Sequence, residues 1–138
     1  MKVWRVAHET ATFDGFPSGP YACAETLPND IVTALRPMFE GHCNTEHPSP
    51  YHDTALRGIA HFERCGFTSL DSLYEWFDRY TSTLDECGFK VYVYDVPGTF
   101  VRSGKNRQAV FAADRATLLE TFALDLHPVQ LDMFGADT

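Results

Sequence analysis

The sequence predicts an α+β fold, a single compact domain in which a three- or four-stranded, mainly antiparallel sheet packs against about three helices. Three observations carry this. Residues 89–96, Phe-Lys-Val-Tyr-Val-Tyr-Asp-Val, are dense in the β-branched and aromatic side chains that suit a pleated surface, and Pro97-Gly98 stops them. Leu70, Leu73, Tyr74, Phe77 and Leu84 recur at helical spacing behind Ser69, whose hydroxyl can accept from the open N–H groups of a first turn. The triplet Cys-Gly-Phe occurs twice, at 65–67 and 87–89, each time where a helical pattern stops. There glycine can take the left-handed conformation of a helix end and phenylalanine can pack back on the last turn.

Each remaining element follows from local chemistry. Residues 2–7 alternate, with Val3, Arg5 and Ala7 on one face and Trp4, Val6 and His8 on the other, as in a strand. Gly15, Pro17, Gly19 and Pro20 then break regular structure and predict a loop over 10–21. Asn29-Asp30 opens a short helix through Ile31, Val32, Leu35 and Met38 that Pro37 ends or kinks. Residues 42–51 are polar and carry Pro48 and Pro50, a second loop. Asp53 is expected to cap a helix whose buried face is Leu56, Ile59, Ala60 and Phe62, ending at the first Cys-Gly-Phe. After the strand at 89–96 the chain extends again at 99–102. It turns at Ser103-Gly104-Lys105-Asn106 and returns antiparallel over 107–112. Asp114 is expected to cap a last helix with Leu118, Leu119 and Phe122 inward, so that the domain spans 1–128 and leaves 129–138 as a tail.

Composition bounds the function. With 44% hydrophobic residues the 138-residue chain can bury a core without metal or disulfide support. Cys65 and Cys87 are accounted for by helix ends, so a reducing cytoplasm fits the four cysteines. No apolar run approaches the roughly 20 residues of a membrane span, and no signal-like apolar stretch follows Met1. Acidic residues outnumber basic ones 19 to 11, a net charge of −8, which disfavours direct contact with nucleic-acid phosphates and suits docking on basic protein surfaces. There is no P-loop and no dinucleotide glycine fingerprint, and no cysteine or serine sits in a nucleophile-elbow context. Arg102, Lys105, Arg107 and Arg115 gather around the late hairpin, where they can hold a phosphate or simply protect an edge strand.

Three constellations carry possible chemistry. Gln130, Leu131, Asp132, Met133 and Phe134 resemble the peptide with which bacterial polymerases and repair proteins dock on the sliding clamp, with Met133 where leucine is usual. The resemblance implies a hydrogen-bonding glutamine and an apolar pair that enters a pocket on the partner. The same alternation also suits a tail folded back on the domain's own core, or a short edge strand. Cys43, His47, His61 and Cys65 are the candidate ligands of a zinc site, the last two one turn apart on the expected helix, although their spacing matches no established finger. No metal or other cofactor is favoured.

Arg5, the loop ending Ser18-Gly19-Pro20-Tyr21, and Gln108 are similar to elements of ADP-ribosyltransferase-type enzymes. That resemblance implies an NAD cleft with Arg5 and Tyr21 toward the dinucleotide and Gln108 on the late strand, where such enzymes commonly carry an acidic residue. Without it, Arg5 and Gln108 are expected at the surface.

The opening Met-Lys-Val-Trp-Arg-Val-Ala-His, Gly19-Pro20-Tyr21 and the run Arg107 to Phe111 together resemble small proteins of actinobacterial bacteriophages. The resemblance implies a cytoplasmic protein that docks on a host protein, such as the sliding clamp or a DNA-binding defence protein, as a counter-defence inhibitor or a replication accessory. The alternative is an NAD-dependent ADP-ribosyltransferase-like enzyme.

Overall fold

The computed structural model describes residues 1–21, 27–42, 47, 49–50 and 53–124. The first strand, β1 (Lys2–His8), alternates as the sequence predicts. The expected loop after it holds a small hairpin, β2 (Thr12–Phe13) and β3 (Phe16–Pro17). Its turn, Asp14-Gly15, has both residues at positive φ, 51° and 76°, the geometry that fits the right-handed twist of paired strands.

Two short helices follow, α1 (Asn29–Ala34) and α2 (Arg36–Gly41). Pro37 lies in the first turn of α2, where a missing N–H costs no helical bond. Ser69 caps α3 (Leu70–Trp76) as expected, its Oγ accepting from the Ser72 N–H at 3.3 Å. The long helix predicted over 70–84 is in fact two, because Arg79 turns to φ 77° before α4 (Thr81–Glu86) begins.

Two expected helices are strands. Residues 54–65 do not form a helix: Arg57 and Gly58 both take positive φ, the Asp53 carboxylate accepts from the Ala55 N–H in a tight turn, and the chain enters β4 (Glu63–Phe67). The first Cys-Gly-Phe is therefore mid-strand. A Cβ on Gly66 would stand 2.6 Å from Val3 Cγ1 and 3.0 Å from the Trp4 carbonyl, so glycine is needed there for close approach. The second triplet does end a helix, with Gly88 at φ 90° leading into β5 (Phe89–Asp95). The late hairpin is β6 (Val101–Ser103) and β7 (Gln108–Ala112), antiparallel as predicted. The helix expected after Asp114 is strand β8 (Thr117–Ala123), for which β5 supplies the reason. It is buried on both faces, by Phe89, Val91 and Val93 on one and Tyr92 and Tyr94 on the other, so it needs hydrogen-bonded neighbours on both edges.

The result is a six-stranded, fully antiparallel sheet in the order β6-β7-β4-β1-β5-β8, rather than one of three or four strands, with four short helices among the described residues. The helices cover the face carrying Val6, Val91 and Val93, and Leu35, Met38, Leu73, Phe77 and Leu84 complete that core. The opposite face carries Val3, Ala7, Tyr94 and Phe111, on which Phe16 of the β2–β3 hairpin stacks, 5.3 Å from the Tyr94 ring. Among the described residues, no helix is long and apolar enough to cross a membrane.

Candidate functional site

The site begins where two strands part. Strand β1 pairs with β5 along its whole length, from Lys2 opposite Asp95 to His8 opposite Phe89, whereas its register with β4 is the single pair Trp4 and Phe67. Beyond that pair the chain after β3 takes up bonds that a neighbouring strand would otherwise supply, the His8 N–H donating to the Ser18 carbonyl at 2.8 Å. The Arg5 guanidinium fills the fork. Its Nη1 donates to the Cys65 carbonyl at 2.6 Å and its Nη2 to the Pro17 carbonyl at 3.0 Å. Burial pulls the Arg5 pKa down, with nearby Cys65 and Tyr94 opposing, but an arginine so far above neutrality stays charged.

A cavity of about 410 Å³ opens from this fork, within the range of roughly 300–1,000 Å³ typical of small-molecule sites. Its polar floor is Arg5, Ser18, Cys65 and Gln108, with Arg64 beside Phe13. Among the described residues, Ser18 Oγ and Arg5 Nε are buried without a hydrogen-bond partner. Gln108 is held by donating its amide to Asp53 Oδ2 at 3.3 Å, an oxygen that also accepts from the Lys105 N–H at 2.6 Å. Burial alone would raise the Asp53 pKa, but hydrogen bonds from Lys105, Ala55, Leu56 and Gln108 outweigh it and hold the carboxyl below its usual range.

The opposite wall is aromatic. The His42 and His47 rings stack at 4.2 Å, and His47 meets the Trp76 edge at 4.9 Å. Trp76 Nε1 donates to the Tyr21 hydroxyl at 2.9 Å, and that hydroxyl is also hydrogen-bonded to His42 Nδ1. Burial, then the neighbouring His47, lowers the His42 pKa to about 4, so the ring is neutral at pH 7. Burial raises the Tyr21 phenol. A second, more polar groove of about 650 Å³ adjoins the cavity, sharing His42, His47 and Trp76 and reaching Lys105 and Asn106.

The family model described as Bacteriophage T4 Y00F protein matches residues 1–125. The chain belongs to that phage family. The match takes in every residue of the cavity and stops short of the tail. No curated protein matches the chain, and no solved structure does.

Within this phage-family fold, the three residues singled out from the ADP-ribosyltransferase resemblance, Arg5, Tyr21 and Gln108, line one cavity. Arg5 and Gln108 are 6% and 4% exposed, not the surface residues that strand position alone suggested, because β1 and β7 are interior strands. Tyr21 stands at the rim, half exposed. His61 and Cys65, the two zinc candidates expected one turn apart on a helix, are instead in a turn and on a strand. His61 is an exposed side chain beside Asp14, Cys65 is on β4, and His47 packs on Trp76, while Cys43 lies outside the described residues. Among the described residues, no group of three or more His, Cys, Asp or Glu side chains is placed to hold a metal. Burial keeps the Cys65 thiol above its usual pKa despite Arg5 and Arg64, so it is not a ready thiolate. Gln130, Leu131, Asp132, Met133 and Phe134 lie outside the described residues. Trp76 carries no sequence signal beyond a place on the apolar face of α3, and Ser18 enters only as part of the loop in the ADP-ribosyltransferase resemblance.

Proposed function

We propose that this member of the phage family is an accessory protein that works by holding a small molecule in the cavity at the β1–β4 fork. The observation that carries the reading is that cavity itself, with buried Arg5 and Gln108 on its floor and Tyr21, His42, His47 and Trp76 as its wall. An aromatic enclosure with a few fixed polar groups is the ordinary build of a ligand site.

A second reading is favoured by one specific observation, the meeting of Arg5, Tyr21 and Gln108 around a single cavity. It is an ADP-ribosyltransferase-like site for NAD. Among the described residues no carboxylate lines the cavity, which supports binding of a dinucleotide over its turnover. The experiment is a melting-temperature series with NAD, ADP-ribose and mononucleotides, since a ligand bound only by the native state raises stability by mass action. Tyr21→Ala, at the half-exposed rim, is expected to weaken binding about tenfold through lost stacking. Absence of any ligand-induced shift would remove the binding reading. Absence of released nicotinamide after prolonged incubation with NAD would remove the enzyme reading alone.

A further inference from the structure

The floor of the cavity holds charge and donors that the protein does not answer. Arg5 is buried and keeps its proton, yet among the described residues it makes no ion pair. Two of its nitrogens are spent on the Cys65 and Pro17 carbonyls, and its Nε–H has no acceptor among the described residues. Ser18 is 2% exposed and its backbone is pinned on both sides, its N–H to the Ala11 carbonyl and its carbonyl to the His8 N–H. Its Oγ nonetheless has no partner among the described residues. Arg64, also on the cavity, donates to the His61, Glu63 and Phe13 carbonyls and lies over the Phe13 and Phe16 rings, again without a carboxylate among the described residues. A charge and a hydroxyl removed from water without partners are costly, and neutral carbonyls answer only part of that cost. In a chain of net charge −8, positive charge concentrated inside one cavity stands out from the acidic exterior.

From these groups we infer that the cavity takes a planar organic anion: a flat ring against the Tyr21–His42–His47–Trp76 wall, bearing a carboxylate or phosphate monoester whose oxygens accept from Arg5 Nε and Ser18 Oγ. This rests on the cavity being a ligand site. An anionic head group at this floor answers the arginine charge, which neutral carbonyls answer only in part, and brings acceptors for the unpartnered donors. The ring wall adds no competing cation, because His42 is neutral at pH 7. A flat ring also fits the offset and edge-on geometry already present among these side chains. The guanidinium can lie where it does because residue 19 is glycine, where a Cβ would sit 3.1 Å from Arg5 Nη2.

Matched probes on the full chain test this by calorimetry at pH 7: 2-naphthoate against 2-naphthamide, and 2-naphthyl phosphate against 2-naphthol. The anion of each pair is expected to bind about tenfold or more tightly than its neutral mate, and whichever anion binds better identifies the head group. The Arg5 Nε–Hε resonance is expected to shift with the anions. Ser18→Ala, which removes only an unpartnered oxygen and so leaves the fold intact, is expected to weaken the anions about threefold or more without changing the neutral probes. Neutral mates binding as tightly as the anions would overturn the inference and leave the cavity reading standing. No binding by any of the four would overturn both.

Discussion

The two edges of β1 are built to opposite ends. Toward β5 the ladder is continuous, and the side chains it brings together, Val6 with Val91 and Trp4 with Val93, are core. Toward β4 it stops after one pair, and a charged side chain, a loop and a cavity occupy the fork. The two Cys-Gly-Phe triplets mark this difference, one on the forked edge in β4 and the other at the entry to β5. The same three residues thus serve as close strand contact and as helix stop. A strand of seven residues is enough to anchor the fold on one side and hold open a site on the other.

Substitutions break this comparison at its two glycines and test it between them. The largest effect is expected for Gly66→Ala, whose methyl would press on Val3, the Trp4 carbonyl and Phe111. Overpacking of this kind costs about 3 kcal/mol in chemical denaturation, and it would pry β4 from β1 where only one pair joins them. Next is Arg102→Ala. Arg102 donates to both oxygens of the buried Glu63, at 3.0 and 2.7 Å, and to the Gly58 carbonyl, fastening the irregular segment before β4. Its loss leaves the carboxylate half-answered, at about 2 kcal/mol after allowing for the solvent exposure of the arginine. The Arg102 hydrogen bonds hold the Glu63 pKa below its ordinary value, so this stabilisation is full above about pH 4.5 and is lost as pH falls through the native pKa. In Arg102→Ala the acid limb of the stability curve should flatten.

Gly88→Ala should cost less, about 1 to 2 kcal/mol, because it strains a φ of 90° and brings a methyl 2.9 Å from His8 Nε2, but leaves the β1–β5 ladder whole. If Gly88→Ala proves as damaging as Gly66→Ala, the two edges are less different than the pairing implies. A pH-dependent effect is expected at His42. Its native pKa of about 4 lies below the ordinary 6.5, so between these values the unfolded chain takes a proton that the native chain refuses. Stability should therefore fall as pH drops from 6.5 to 4, with a shallower slope in His42→Gln.

Much of the fold was legible in the sequence because the evidence was local. Alternation marked β1, β-branched and aromatic density marked β5, turn residues marked the late hairpin, and a serine cap marked the start of α3. The errors share one cause. Leu118, Leu119 and Phe122 fit a helical stripe, yet they form β8 because β5 has an open edge, and that is a fact about a strand some 25 residues away. Gly66 likewise looked like a helix end because its true neighbours, Val3 and Phe111, are remote in sequence. The cavity was less legible still. Arg5, Tyr21 and Gln108 were grouped by resemblance, not by periodicity, and the stacking of His42 on His47, with His47 against Trp76 of α3, joins residues distant in sequence. Isolated histidines and cysteines in sequence carry no such geometry, which is why His47 and His61 could be set beside Cys43 and Cys65 as candidate ligands.

The sheet order also sets a timetable for synthesis. The amino-terminal strand is near the middle of the sheet, with its full partner at residues 89–95 and its short one at 63–67. As the chain leaves the ribosome, β1 must wait, unpaired and apolar, until most of the domain has emerged, because the contacts that reward its ordering are the most distant in sequence. Translation pauses upstream of residue 95 would lengthen that wait, and ribosome-bound chains truncated before β5 should stay protease-sensitive where chains extending past β8 do not.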